Sequence, residues 1–484
     1  MKRAVALFLL ASLALNFTPL VVSAHPATCD EADPGTPGCV ASPATSSSGI
    51  ARTHRIDPTC PPPTTTHGGQ CVITQDLQLS ETLELASDTK LNCQDHRLTP
   101  SSANPEVGVV IIRSYGVKLQ NCVIEGFLFG VVVVDAKMPA DYRAHPNNDD
   151  PRRNKILDNR ITGAEGILVI KSDALEISGN EITMTSNGGD GLRLYRDSDF
   201  NHIVNNRITD VATGEGYGYL VPGQLDVILC LCASAMFVAN GLDITEPRGS
   251  SLSVRVGSTT IDFPWEAANS PEDNVFEANH ISLPREFITV GITFGDGNRR
   301  PVVRGNVIQG SWIGIAASGN FTDTVDARSV DGIVEDNIVT DARDGIQVIA
   351  AYNTTVRRNF VSGAARAGIL LVEAALATSA VTRNTLSGNA FGFSFSNISS
   401  TRVGAAVYLN DVTGSSVRAI RTSGPAFTQP SDLSFAGRGN YWGRTCADGG
   451  FLASDTPSSL ITDGHPFGQP VASVPDALLP APCR

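Results

Sequence analysis

The stretch GGDGLRLYRDSDFNH, Gly188 to His202, crowds Asp190, Arg193, Tyr195, Arg196, Asp197 and Asp199 into one short segment, with Glu165 and Lys171 a little upstream. Carboxylates at this density can hold calcium, which takes oxygen ligands. Two or three of them at a fixed separation can instead hydrolyse a glycosidic bond. Basic side chains beside them can neutralise an acidic ligand. A solvated charged turn with no chemistry has the same composition, so the elements that hold these residues decide between the readings.

Those elements repeat. Asn followed two residues later by Ile, Val or Leu recurs at Asn121, Asn159, Asn180, Asn206, Asn279, Asn306, Asn337, Asn359 and Asn384, 21 to 31 residues apart except for gaps of 38 and 73. After most of these anchors comes a glycine and a branched or aromatic residue, as in Gly166-Ile167, Gly191-Leu192, Gly345-Ile346 and Gly392-Phe393. Each unit therefore reads as two short alternating strands parted by a turn. A coil of that length stacked on its neighbours about 4.8 Å away is a parallel β-solenoid. Ile161, Ile182, Ile208, Ile281, Ile308, Val339, Val361 and Leu386 should stack inside it. Asparagine suits the turn because it tolerates left-handed backbone angles, and its amide can bond to the asparagine one coil away.

At this point the sequence resembles the right-handed parallel β-helix families, over about residues 60 to 445. TKLNCQDHRLTP (Thr89 to Pro100) and VKLQNCVIEGFLFGVVVV (Val117 to Val134) look like their opening coils, and GNYWGRTC (Gly439 to Cys446) looks like their closing segment. The resemblance implies an all-β solenoid of about ten or eleven coils. Members include polysaccharide lyases, hydrolases and epimerases, a periplasmic family serving copper-enzyme maturation, and surface proteins without known chemistry. For a lyase, the resemblance implies Arg193 or Arg196 as the base beside Asp190, with Glu165, Asp197 and Asp190 as calcium ligands. Tyr195, Lys171, Arg160 and Arg207 would then contact substrate. The paired-Asp, Gly-His-Gly and Arg-Ile-Lys set of polygalacturonases and the Asp-Pro-His-Glu motif of alginate epimerases do not occur; Asp149-Asp150 lacks such partners.

The first 24 residues carry Lys2, Arg3, an apolar run and Val22-Ser23-Ala24, the pattern of a cleaved export signal. Residues 25–59 read as a flexible leader, 60–445 as the β-helix with an insertion at about 211–270, and 446–484 as a capping tail. That insertion is expected to hold one irregular coil and a hairpin. No later apolar run reaches the roughly 18 residues that cross a bilayer, so the mature protein is expected to be secreted or periplasmic. All ten cysteines follow the signal, which suits an oxidising compartment. Cys93 and Cys122 occupy matching places in successive coils, Cys60 and Cys71 bracket a proline-rich loop, and Cys446 and Cys483 would pin the tail. Cys29 and Cys39 could close the leader, while Cys230 and Cys232 fit neither a redox pair nor a zinc knuckle. His25 would become the first residue after cleavage, but Pro26 follows it and no partner histidine is placed for copper.

A formal charge of −13 argues against non-specific nucleic-acid binding. An acidic glycan would need a local basic patch. Because Ile161 and its equivalents point inward, Arg160, Glu181, Arg207, His280, Val307, Ile338, Phe360 and Thr385 form an outward column, and Thr162, Thr183, Thr209, Ser282, Gln309, Thr340, Ser362 and Ser387 a second. Their charges either meet a ligand or pair with one another. On the Gly-Ile strands several nominally outward residues are apolar, Leu168, Ile170 and Leu370 among them, so that face is expected to be covered by the insertion or by another chain. Two functions remain open: a carbohydrate-active protein, lyase-like toward an acidic glycan, or a non-catalytic β-helix that binds glycan or protein or assists a metal pathway.

Overall fold

The computed structural model describes residues 53–101, 106–138, 141–142, 149–185, 189–210, 217–220, 228–231, 233–239, 251–256, 259–264, 271–285, 289–295, 297–318, 330–372, 378–396, 403–423, 427–448 and 460–483. The chain divides after residue 50, and the second unit runs from Ala51 to Arg484. The expected signal, most of the leader, His25, Cys29 and Cys39 lie outside the described residues. The leader's end does not: Thr53–Ile56 is a strand paired in parallel with Thr82–Leu85.

The second unit is a parallel β-helix. A 13-stranded sheet takes one short strand per coil, and a 23-stranded sheet holds the Asn-x-Ile and Gly-Ile strands. In one coil Lys155–Leu157 belongs to the first sheet and Arg160–Ile170 runs through both strand positions of the second. Two residues, Asp158 and Asn159, make the bend between them. The left-handed angle falls on the first of the two, a correction to the sequence reading, which gave it to the asparagine. Asp158, Gly179, Asn205, Ala278, Gly305, Asp336, Arg358, Arg383 and Leu409 all have φ between 53° and 67°, and each precedes a ladder asparagine.

That placement turns the asparagine amide inward. Asn180 donates from Nδ2 to Asn206 Oδ1 (2.9 Å) and to the Ile156 carbonyl (2.9 Å), while its Oδ1 accepts the Asn159 backbone N–H and side-chain amide, both at 3.0 Å. A buried amide thus uses its polar atoms fully, as burial demands. The ladder continues to Asn440, whose amide donates to Asp463 at 3.2 Å, and Trp442 Nε1 donates to the same carboxylate at 2.8 Å.

At the opening end the alignment needs a one-residue correction. Asn121 is itself the left-handed residue (φ 52°), and Cys122 occupies the ladder position, its N–H donating to Asn159 Oδ1 at 3.0 Å. Cys122 is bonded to Cys93, which follows the strand Lys90–Asn92 one coil earlier, so a disulfide closes the ladder at this end. Cys60 is joined to Cys71 and Cys446 to Cys483.

Ile161, Ile182, Ile208, Ile281, Ile308, Val339, Val361 and Leu386 are all buried and pair in register from coil to coil. Full burial of such a side chain favours folding by about 1.5–3 kcal/mol. The glycine that opens each second strand stands where coils approach closely: a Cβ on Gly345 would lie 2.2 Å from Val361 Cγ1 and 2.5 Å from the Gly368 carbonyl oxygen. No side chain fits there, which explains the Gly-Ile signature.

Among its described residues the 73-residue gap holds one coil strand and two hairpins, rather than the expected irregular coil plus one hairpin. Ala233–Ala239 pairs in parallel with Leu192–Tyr195 and with Thr289–Phe294. Antiparallel hairpins flank it, Tyr217–Leu220 with Ile228–Leu231 and Ser251–Val256 with Thr259–Pro264. The side chain of Cys230 and all of Cys232 lie outside the described residues. Farther on, the tail packs Phe467 and Val471 against Leu409.

Candidate functional site

The charged segment from Gly188 to His202 divides into two networks. Glu165 and Asp190 each stand immediately before the corner glycine of successive coils. Arg193 Nε bonds to Asp190 Oδ2, and its Nη1 lies 3.6 Å from Glu165 Oε1. The Asp190 N–H donates to Glu165 Oε2 at 3.1 Å, and the Ser234 N–H donates to Asp190 Oδ1 at 2.7 Å. The guanidinium lies 5.2 Å from the centre of the buried Tyr195 ring. Glu165 is 7% exposed and Asp190 2%. Burial pushes Glu165 up to about 7, with the Arg193 charge opposing it, and burial also raises Asp190. Burial works against the charge of Arg193, but the two carboxylates outweigh it and hold the guanidinium more firmly protonated.

Asp197 belongs to the other network. Its carboxylate lies 2.6 Å from Lys137 Nζ, which also meets Asp173 at 2.9 Å. Asp199 donates its N–H to Asp173 at 3.3 Å and accepts the Glu272 N–H at 3.0 Å. Burial first, then Asp173 and Asp197, push Asp199 up to about 8. Arg196 and Lys171 both sit at left-handed turn positions, Arg196 buried. The structure therefore brings together Glu165, Asp190, Arg193 and Tyr195, sets Asp197 with Lys137 and Asp173, and joins Lys171 to the cluster only through its N–H, which donates to the Tyr195 carbonyl at 3.1 Å.

The first network has a counterpart farther along the helix. Asp344, Gly345 and Gln347 repeat the order of Asp190, Gly191 and Arg193. Gln347 Nε2 donates to Asp344 Oδ2 at 2.9 Å, and Arg366 Nε donates to Asp344 Oδ1 at 2.7 Å. All three side chains are buried. A buried carboxylate at this corner meets a cation in both places, which marks the arrangement as one the scaffold uses.

Arg160 and Arg207 lie on the neighbouring face, where the outward column is open. There a cleft of about 180 Å³ is lined by Arg97, Val123, Glu125, Arg160, Thr162, Glu181 and Thr183. Register sets them side by side: Arg97 next to Val123, then Arg160, Glu181 and Arg207. Arg97 Nη1 pairs with Glu125 at 3.0 Å, and Arg160 Nη2 stands 3.6 Å from Asp95. Arg160, Glu181 and Arg207 are exposed. Sequence reasoning missed Arg97 and Glu125, because the coil carrying Arg97 has no Asn-x-Ile anchor to align; its only signal is the Leu98–Ile124 pairing.

The sequence model of the family described as periplasmic copper-binding protein (NosD) matches residues 99–224 and 235–446. No curated protein matches the chain. Among solved structures, an alginate lyase from a Paenibacillus species is 15% identical, with 63% of this chain and 88% of that one covered and a TM-score of 0.35. The catalytic domain of an α-1,3-glucanase in complex with nigerose is 13% identical, with 77% and 58% covered and a TM-score of 0.39. The tailspike of the Escherichia coli bacteriophage HK620, in complex with a pentasaccharide, is 10% identical, with 79% and 72% covered and a TM-score of 0.31. What these three act on or bind is a property of theirs.

Proposed function

The chain belongs to the periplasmic copper-binding protein (NosD) family, and we propose that it works in the periplasm and binds an acidic polysaccharide along its open strand face without cleaving it. The observation that carries this reading is the cleft from Arg97 to Thr183, where exposed arginines alternate with carboxylates and threonine hydroxyls. Arginine suits a uronate because its planar fork matches a carboxylate, and the threonines add donors and acceptors for sugar hydroxyls. Against catalysis stands the condition of the residues a lyase would use. Arg193 is held protonated between two buried carboxylates, so it is poorly suited to take a proton. Glu165 and Asp197 point their charge at Arg193 and Lys137, which leaves little for calcium.

Copper fares no better on the described residues. It favours thiolate, thioether and imidazole ligands. Among the described residues no cysteine is free. Met184 and Met236 belong to the apolar core and Met138 to a smaller apolar cluster. No group of three or more His, Cys, Asp or Glu among the described residues is arranged to hold a metal. The family's metal is therefore not matched by these residues.

Titration of the full chain with uronate hexasaccharides tests the proposal, with ultraviolet absorbance followed for unsaturated product. Saturable, salt-sensitive binding without an absorbance rise is expected, weakened about tenfold or more by Arg160→Ala with Arg207→Ala. An absorbance rise that disappears in Arg193→Ala would restore the lyase reading.

A further inference from the structure

The outward column that begins with the arginines changes character along the helix. From Arg207 the register passes to His280, Val307, Ile338, Phe360 and Thr385. Ile338 is 43% exposed and Phe360 41%, and the two are direct neighbours across paired strands. Together they make a small open apolar patch, below the few hundred Å² at which a protein partner is the usual explanation. The column beside them carries Gln309, Thr340, Ser362 and Ser387, and neither column holds a charge between Val307 and Ser387.

Resting on the polysaccharide reading, we propose that Phe360 and Ile338, flanked by Gln309, Thr340 and Ser362, form a second subsite that takes an uncharged sugar ring. A pyranose presents C–H groups on its faces and hydroxyls at its rim, and this patch offers an aromatic face bordered by hydroxyl and amide groups. A protein partner fits less well, because a stable interface buries about 800 Å² on each side and two side chains fall far short. Nucleic acid fits less well because neither column carries a cation here to meet a phosphate, and Arg358 at the adjoining bend is paired with Glu335 and Asp336. Four strand steps of about 4.8 Å separate Arg207 from Phe360, or about 19 Å. A glycan filling both subsites must span that length and carry acidic residues at one end and neutral ones at the other.

The test compares wild type, Phe360→Ala, Phe360→Trp and Arg160→Ala/Arg207→Ala by calorimetric titration with neutral and uronate hexasaccharides, at low salt and in high sodium chloride. The neutral hexasaccharides should bind in high salt, because stacking is not screened, and the arginine variant should leave that binding intact. Phe360→Ala should weaken it about tenfold, Phe360→Trp should preserve it, and neither should alter the thermal midpoint. Uronates should show the reverse dependence. If uronates bind but no neutral glycan does, or if Phe360→Ala binds neutral glycans as tightly as wild type, the second subsite is wrong and the arginine cleft stands. If no glycan of either kind binds, both fall. A dimer seen by light scattering and abolished by Phe360→Ala would give the patch to a second copy of the chain and overturn the sugar assignment.

Discussion

Arg160 and Glu165 sit five positions apart on one continuous strand, Arg160–Ile170, and live in opposite surroundings. Arg160 opens onto the cleft; Glu165 is sealed beneath Arg193. Charge density alone pointed to the sealed end, because Asp190, Arg193, Arg196, Asp197 and Asp199 crowd it. Solvent access reverses that ranking. A group that cannot meet a ligand spends its charge on its neighbours, and the Asp344–Arg366 pair shows the scaffold doing so a second time.

The hardest test of this contrast is to remove one partner from each sealed network. Arg193→Ala strands two buried carboxylates, and Arg366→Ala strands Asp344. Breaking a buried pair from one side costs about 3–5 kcal/mol, so both variants should unfold at clearly lower urea concentrations, by similar amounts. If Arg193→Ala leaves the urea midpoint unchanged while Arg366→Ala lowers it, the likeness of the two networks is broken, and the Asp190 cluster would again need a role other than scaffold.

A milder test uses acidity. Burial pushes Glu165 in the folded protein up to about 7 from an ordinary 4.5, so between those values the folded state binds the proton more tightly than the unfolded chain. Stability from this group is therefore greatest at the acidic end of the window and is lost as pH rises through about 7. Asp199, pushed up to about 8, tilts the profile the same way. Urea midpoints measured from pH 4.5 to 8 should fall, and Glu165→Gln should flatten the part of the slope below about 7. A variant whose slope matches wild type would mean that Glu165 is charged and solvated, hence on the open side of the comparison after all.

The backbone was legible because its constraints recur once per coil. Ile161 and its equivalents must be apolar, Gly166 and Gly345 must lack a side chain, and Asn180 must supply both donor and acceptor. The left-handed residue was misplaced because nothing fixes its identity: Asp158, Gly179, Ala278, Arg358 and Leu409 all serve. Asn121 misled for the same reason, standing in that variable place while Cys122 took the rung. The expectation that the Gly-Ile face is covered needed only its apolar residues, and Leu168, Ile170 and Leu370 are buried within the single chain. Whether Glu165 or Arg160 sees solvent is decided by neighbours one coil away, Asp190 and Arg193 in the case of Glu165, and leaves no local pattern. The cleft escaped notice at Arg97, one coil before the repeat becomes readable.

The smallest expected effect is the most discriminating. Arg160→Ala with Arg207→Ala removes two exposed cations, of which Arg160 comes within 3.6 Å of Asp95. Exposed pairs of this kind contribute little, and surface substitutions away from buried networks usually stay within about 0.5 kcal/mol. The thermal and urea midpoints of the double variant should therefore match wild type while its affinity for uronate oligomers falls. Loss of binding with no loss of stability would identify a surface kept for a ligand. Loss of stability comparable to Arg193→Ala would mean that the arginine column holds the coils together, and the two ends of the Arg160–Ile170 strand would then differ in exposure but not in purpose.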